Sequence, residues 1–118
     1  AAHLDSKDWA KSVDCNVTAL GHLVPYIGAL LADTGQAVFF DDARAGEKFF
    51  GHYGATKAAQ IALARSWAAE TATTGPRVQI LTPPAMATAT RARFFPGEDR
   101  TTLSSPRDAA ASLLPQIL

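Results

Sequence analysis

The chain has 118 residues, 47% of them hydrophobic, and its eleven basic side chains balance eleven acidic ones to a net charge of zero. That is enough apolar material for one domain over residues 1–118, and it excludes a disordered chain, which needs low hydrophobicity and high net charge. With no basic excess there is no electrostatic footprint for nucleic acid or for an anionic membrane surface.

Asp5 or Ser6 caps a first helix, with Asp8 in its first turn near the positive dipole end. The apolar positions Trp9, Val13, Leu20, Leu23, Val24, Ile27, Leu30 and Leu31 recur mostly at three- and four-residue steps, which predicts one long amphipathic helix. Pro25 should kink or split it, and Asp33-Thr34-Gly35 should stop it. Gln36-Ala37-Val38-Phe39-Phe40 then reads as a short buried strand, and residues 41–51 as a polar loop. A second helix is predicted from about Phe50 to Thr73, terminated by Gly75-Pro76. Arg77-Val78-Gln79-Ile80-Leu81 reads as a second buried strand, cut off by Pro83-Pro84. An irregular stretch with one helical turn near residues 87–94 follows. Ser105-Pro106 opens a last helix, which Pro115 should end at about Leu114. Helices alternating with strand-length apolar runs predict an α/β chain with parallel pairing, both strands buried on two faces. Two strands are few for such a sheet, so the chain reads as a portion of a doubly wound fold.

Chemistry-bearing residues concentrate in Tyr53-Gly54-Ala55-Thr56-Lys57. A phenol and an ammonium four apart on a helix share a face, so the Lys57 charge can lower the pKa of Tyr53 and ready it for proton exchange with a hydroxyl or carbonyl. Isolated, the pair is as well explained as a chance neighbour on a helix surface.

The order of strand, loop, Tyr-x-x-x-Lys helix and second strand, behind a helix reading Asp8-Trp9-Ala10-Lys11-Ser12-Val13-Asp14-Cys15-Asn16-Val17-Thr18-Ala19, resembles the C-terminal half of the short-chain dehydrogenase/reductase family. The resemblance runs from about Asp5 to Ile117. It implies a partial Rossmann-like fold, a doubly wound parallel sheet, and an NAD- or NADP-dependent oxidoreductase acting on a carbonyl or alcohol. In that reading Tyr53 is the acid/base, Lys57 lowers its pKa and holds the nicotinamide ribose, Asn16 belongs to a proton relay, and Thr88 contacts cofactor phosphate. The alternative for Asn16 is a helix-interior amide satisfied by a backbone carbonyl. The resemblance also implies a homodimer through helices 5–32 and 50–73, with Ala19, Leu23, Ala58, Ala62 and Trp67 at or near a shared four-helix bundle. A non-catalytic pairing module derived from the family is the alternative function.

Three departures stand against the family pattern. The stretch where its catalytic Ser lies reads Phe39-Phe40-Asp41-Asp42-Ala43, and a carboxylate near Tyr53 would raise the phenol pKa, opposing Lys57. Pro83-Pro84 replaces Pro-Gly and removes a backbone donor. None of the eight glycines forms a dinucleotide cradle, so the nucleotide-binding half is expected to lie outside these residues and nucleotide affinity to be negligible.

Elsewhere the signals are weaker. Cys15 is the only cysteine, so neither an intramolecular disulfide nor a Cys-based zinc site can form, and it reads as a small buried residue. His3, His22 and His52 share no metal-ligand spacing and read as surface or satisfied histidines. Arg91, Arg93 and Arg100 around Phe94-Phe95 read as a charged solvated loop or a phosphate contact. No apolar run approaches the ~18 residues of a membrane helix, and Ala1-Ala2-His3-Leu4-Asp5 lacks a signal-peptide pattern. The expected location is cytoplasmic.

Overall fold

The computed structural model describes all 118 residues, and their contacts divide the chain into two compact units, 1–81 and 82–118. The first unit opens with α1 (Ser6–Val13), whose N-cap Asp5 accepts from the backbone N–H groups of Lys7 and Asp8. A π turn over Asp14–Thr18 follows, and α2 (Ala19–Leu30) continues the same rod. The predicted interruption therefore comes at the π turn and not at Pro25, which sits inside α2. Pro25 leaves the Gly21 carbonyl without its i+4 donor, and α2 nonetheless runs through it to Leu30.

Strands β1 (Gln36–Phe40) and β2 (Arg77–Leu81) pair in parallel, with Gln36 opposite Arg77 and Phe40 opposite Leu81. Between them runs α3 (Gly51–Glu70), which packs on both strands, on α1 and on the π turn. The core forms along one stripe of α3, where Thr56, Ile61, Ala64 and Trp67 are buried together with Phe50. Trp67 meets Phe39 of β1 edge-on, with ring centroids 6.3 Å apart. A Cβ on Gly28 of α2 would lie 3.4 Å from the same indole, so α2 and α3 touch through a bare backbone. Contrary to expectation the strands are only half-buried, and Phe40 is exposed. A two-stranded sheet offers no central strand, so neither strand is flanked on both edges. Cys15 is exposed as well, because the first helical segment turns Ser12, Val13, Asn16 and Val17 inward and leaves Cys15 on its outer side.

In the second unit a parallel bridge joins Met86 to Ser104. It carries α4 (Ala89–Phe94), a 3-10 turn (Arg100–Thr102) and α5 (Pro106–Ile117). Ser105 caps α5 by accepting from the Asp108 N–H, with Pro106 at the first helical position as expected. Pro115 does not end α5 at Leu114, since the helix runs on to Ile117. Only one backbone donor is lost there, and Leu118 N–H still bonds the Leu114 carbonyl at 2.9 Å.

Candidate active site

Phe40 closes β1, and the chain turns through Asp41 and Asp42 into the loop that leads to α3. That loop lies close on α3: a Cβ on buried Gly54 would meet the Gly46 nitrogen at 3.0 Å and the Phe50 Cβ at 3.2 Å. The lack of a side chain at Gly54 thus lets the loop settle beside the preceding residue, Tyr53. The Tyr53 hydroxyl donates to Asp42 Oδ2 at 3.2 Å, which places the phenol at the carboxyl end of β1. Asp42 is itself anchored, since its Oδ1 accepts from the Arg44 N–H at 3.0 Å. Asp41 Oδ1 accepts from the Asp42 N–H at 2.8 Å, and its Oδ2 lies 3.8 Å from the exposed Arg65 guanidinium.

Electrostatics follow from that placement. Burial pushes the Tyr53 phenol up from 10 to about 12, helped by the Asp42 charge and hydrogen bond and by Asp41. The phenol is therefore raised where the Lys57 spacing alone would have it lowered; burial is the largest cause, and the carboxylate effect foreseen as opposing Lys57 adds to it. Lys57, one turn along α3, is half-buried and its pKa is lowered by desolvation, with Asp41 and Asp42 pulling the other way. Its Nζ donates to Gln60 Oε1 at 2.7 Å.

Asn16 reaches this cluster from the middle of the π turn. Its Nδ2 donates to Thr56 Oγ1 at 3.1 Å, and that hydroxyl donates to the carbonyls of His52 and Tyr53. Its own carbonyl accepts from Gln60 Nε2 at 3.4 Å. A continuous chain thus runs from the Asn16 backbone through Gln60 to the Lys57 ammonium. Ser12, one turn before Asn16, pairs with His52 Nδ1 at 2.7 Å, so His52 is a satisfied histidine. Sequence reasoning missed Gln60, Thr56 and Ser12. The signal was present, because His52, Thr56 and Gln60 stand four apart on an alanine-rich helix opposite Ser12 and Asn16, also four apart.

Thr88 lies in the second unit, where its hydroxyl caps α4 by accepting from the Arg91 N–H at 3.2 Å. Arg91 is committed within that unit: it forms two 2.8 Å bonds to Glu98 and stacks 4.1 Å over the Phe95 ring. Arg100 reaches the Thr88 carbonyl at 3.5 Å.

A family profile described as Enoyl-(Acyl carrier protein) reductase matches residues 1–111. The chain belongs to the short-chain dehydrogenase/reductase family. Solved members are similar over nearly all of it. A short chain dehydrogenase from Salmonella enterica serovar Typhi is 28% identical with a TM-score of 0.85, over 98% of this chain and 48% of that one. A putative one from Escherichia coli CFT073, complexed with NADPH, is 30% identical with a TM-score of 0.84, over 98% and 48%. A third, from Shigella flexneri 2a and complexed with NADP, is 31% identical with a TM-score of 0.82, over 91% and 46%. The chain thus spans about half the length of these relatives. A comparison with curated proteins returned no match. The partial Rossmann-like α/β fold expected from the sequence is the one observed. No helix is long and apolar enough to cross a membrane.

Proposed function

We propose that these residues form the proton-handling and subunit-pairing part of an NAD(P)-dependent oxidoreductase acting on a carbonyl or alcohol. The observation that supports this reading is Tyr53 and Lys57 one turn apart on α3 beside the Asp41–Asp42 turn that follows β1, with Gln60 linking Lys57 to the Asn16 carbonyl, in a chain of this family. Two solved relatives are complexed with NADPH or NADP. When bound, a nicotinamide dinucleotide supplies hydride exchange with the substrate carbon. The residues suit its ribose end: the half-buried Lys57 ammonium has three protons and gives one to Gln60, leaving donors for ribose hydroxyls. The pyrophosphate end has no such partner, since these 118 residues contain no glycine cradle.

In this reading Tyr53 exchanges the proton of the substrate oxygen. Lys57, held by Gln60 and through it by Asn16, keeps positive charge beside that exchange. Tyr53→Phe in the nucleotide-competent protein should lower the rate of reduced-nicotinamide consumption by ~100-fold or more while nucleotide binding persists. An unchanged rate would remove the assignment. The 118-residue polypeptide by itself should bind NAD(H) and NADP(H) negligibly, and micromolar affinity in calorimetry would contradict that. A non-catalytic pairing role is the second reading, favoured by the proton that Tyr53 keeps on Asp42 and by the apolar side chains exposed on α2.

A further inference from the structure

A phenol has one proton to donate, and Tyr53 directs its own toward Asp42 Oδ2. Asp42 cannot swing away freely, because Oδ1 holds the Arg44 N–H and its carbonyl accepts from Ala45 N–H at 3.1 Å. Asp41 is turned to the Asp42 N–H and toward Arg65, so it does not take the phenol proton in place of Asp42, and the Lys57 ammonium has no lone pair with which to accept it. With its hydrogen fixed on the protein side, the Tyr53 oxygen can offer a ligand only lone pairs. A carbonyl, which needs a donor, is poorly served by such an oxygen. A hydroxyl group, which brings its own proton, is well served.

We propose that Asp42 is a positioning residue for Tyr53, turning the phenol into an acceptor that selects a hydroxyl-bearing ligand over a carbonyl one. The ligand preference rests on the oxidoreductase reading of this site; the Tyr53–Asp42 pairing does not. The same geometry gives a hydrogen-bond chain in which no bond to hydrogen has to break: the ligand hydroxyl donates to the phenol oxygen, and the phenol donates to Asp42 Oδ2. The phenol stays protonated throughout, as burial and both carboxylates favour.

The test is a pH titration of the protein carrying tyrosine labelled with carbon-13 at Cζ. Of its two tyrosines, Tyr26 is assigned as the signal that survives Tyr53→Phe. Tyr53 should remain a phenol past pH 10, and Asp42→Asn, which keeps an acceptor but removes the charge, should bring its midpoint down by about one pH unit or more. Asp42→Ser serves as a second variant if the first does not fold, and circular dichroism checks the fold at each pH. In the unmodified protein 2-propanol should shift the Tyr53 signal more than acetone does, and Asp42→Ser should cancel or invert that preference. An equal midpoint in wild type and variant, or ionisation of wild-type Tyr53 at or below pH 10, overturns the pairing. A shift with acetone as large as with 2-propanol, or no shift with either, overturns the ligand preference. None of these readouts depends on turnover, so their outcome is separate from that of the Tyr53→Phe assay.

Discussion

Tyr53 and Lys57 show how far residue type and spacing carry a reading, and where they stop. Their shared helix was legible from the four-residue interval, and so was the danger of a carboxylate just before the helix. The partner of Lys57 was not legible, because a long flexible ammonium chooses among acceptors only once α1, the π turn and α3 are packed. The observed shifts give stability a definite pH dependence. Tyr53 has a folded pKa of about 12 against an ordinary 10, so its contribution is intact below pH 10 and is lost as pH rises from 10 to about 12. Lys57 is depressed in the folded state, so it adds stability as pH rises through its lowered value toward 10.5. The denaturant midpoint should therefore hold or rise slightly up to pH 10 and then fall. Asp42→Asn should shrink that alkaline fall. A midpoint that stays flat between pH 10 and 12 in wild type would contradict the account.

Elements were legible where a local signal had no competitor. Asp5 and Ser105 as caps, and the paired strands at 36–40 and 77–81, stand where their residues placed them. Pro25 and Pro115 were misleading, because each helix lost one donor and kept the packing or end contacts that hold it. The π turn had no sequence signal at all. It adds a residue to the helix and is where Asn16 departs from the α-helical ladder, with its side chain bonded to Thr56 and its carbonyl bonded by Gln60. The junction of loop and α3 is similarly a matter of close approach. At Gly54 a larger side chain must push the loop away, since the nearest atoms are backbone and Cβ. Gly54→Val should cost about 1–3 kcal/mol in chemical denaturation, and should also weaken the Tyr53–Asp42 bond, lowering the Tyr53 midpoint in the carbon-13 titration. A variant as stable as wild type with an unmoved midpoint would show that the loop does not depend on this contact.

At the scale of the molecule, parallel strand order follows from the alternation of helix and strand, whereas strand burial does not, because it depends on what flanks two strands and not on their residues. The same holds for the helix surfaces. On α2, Leu23, Tyr26, Ile27 and Leu30 are exposed, Leu30 by 85%, and α3 turns Ala58, Ala62 and Leu63 outward beside an inward stripe of Ile61, Ala64 and Trp67. Trp67, expected at or near the shared bundle, is 8% exposed and packs on Phe39 and the Gly28 backbone, so it joins α2 to α3 within the single chain. Apolar side chains left uncovered on adjacent helices are what a two-fold partner would cover, and small residues such as Ala58 and Ala62 allow close helix approach. The proposal is a homodimer through α2 and α3. Ala62→Arg tests it cleanly, because Ala62 is exposed in the single chain and the charge need not be buried for the chain to fold. The variant should keep its circular dichroism spectrum and sediment as a monomer at concentrations where the unmodified chain is a dimer, since an unpaired arginine buried in a dimer face costs several kcal/mol. A monomeric wild-type chain at micromolar concentration, or a variant that still pairs, would move the interface off these helices.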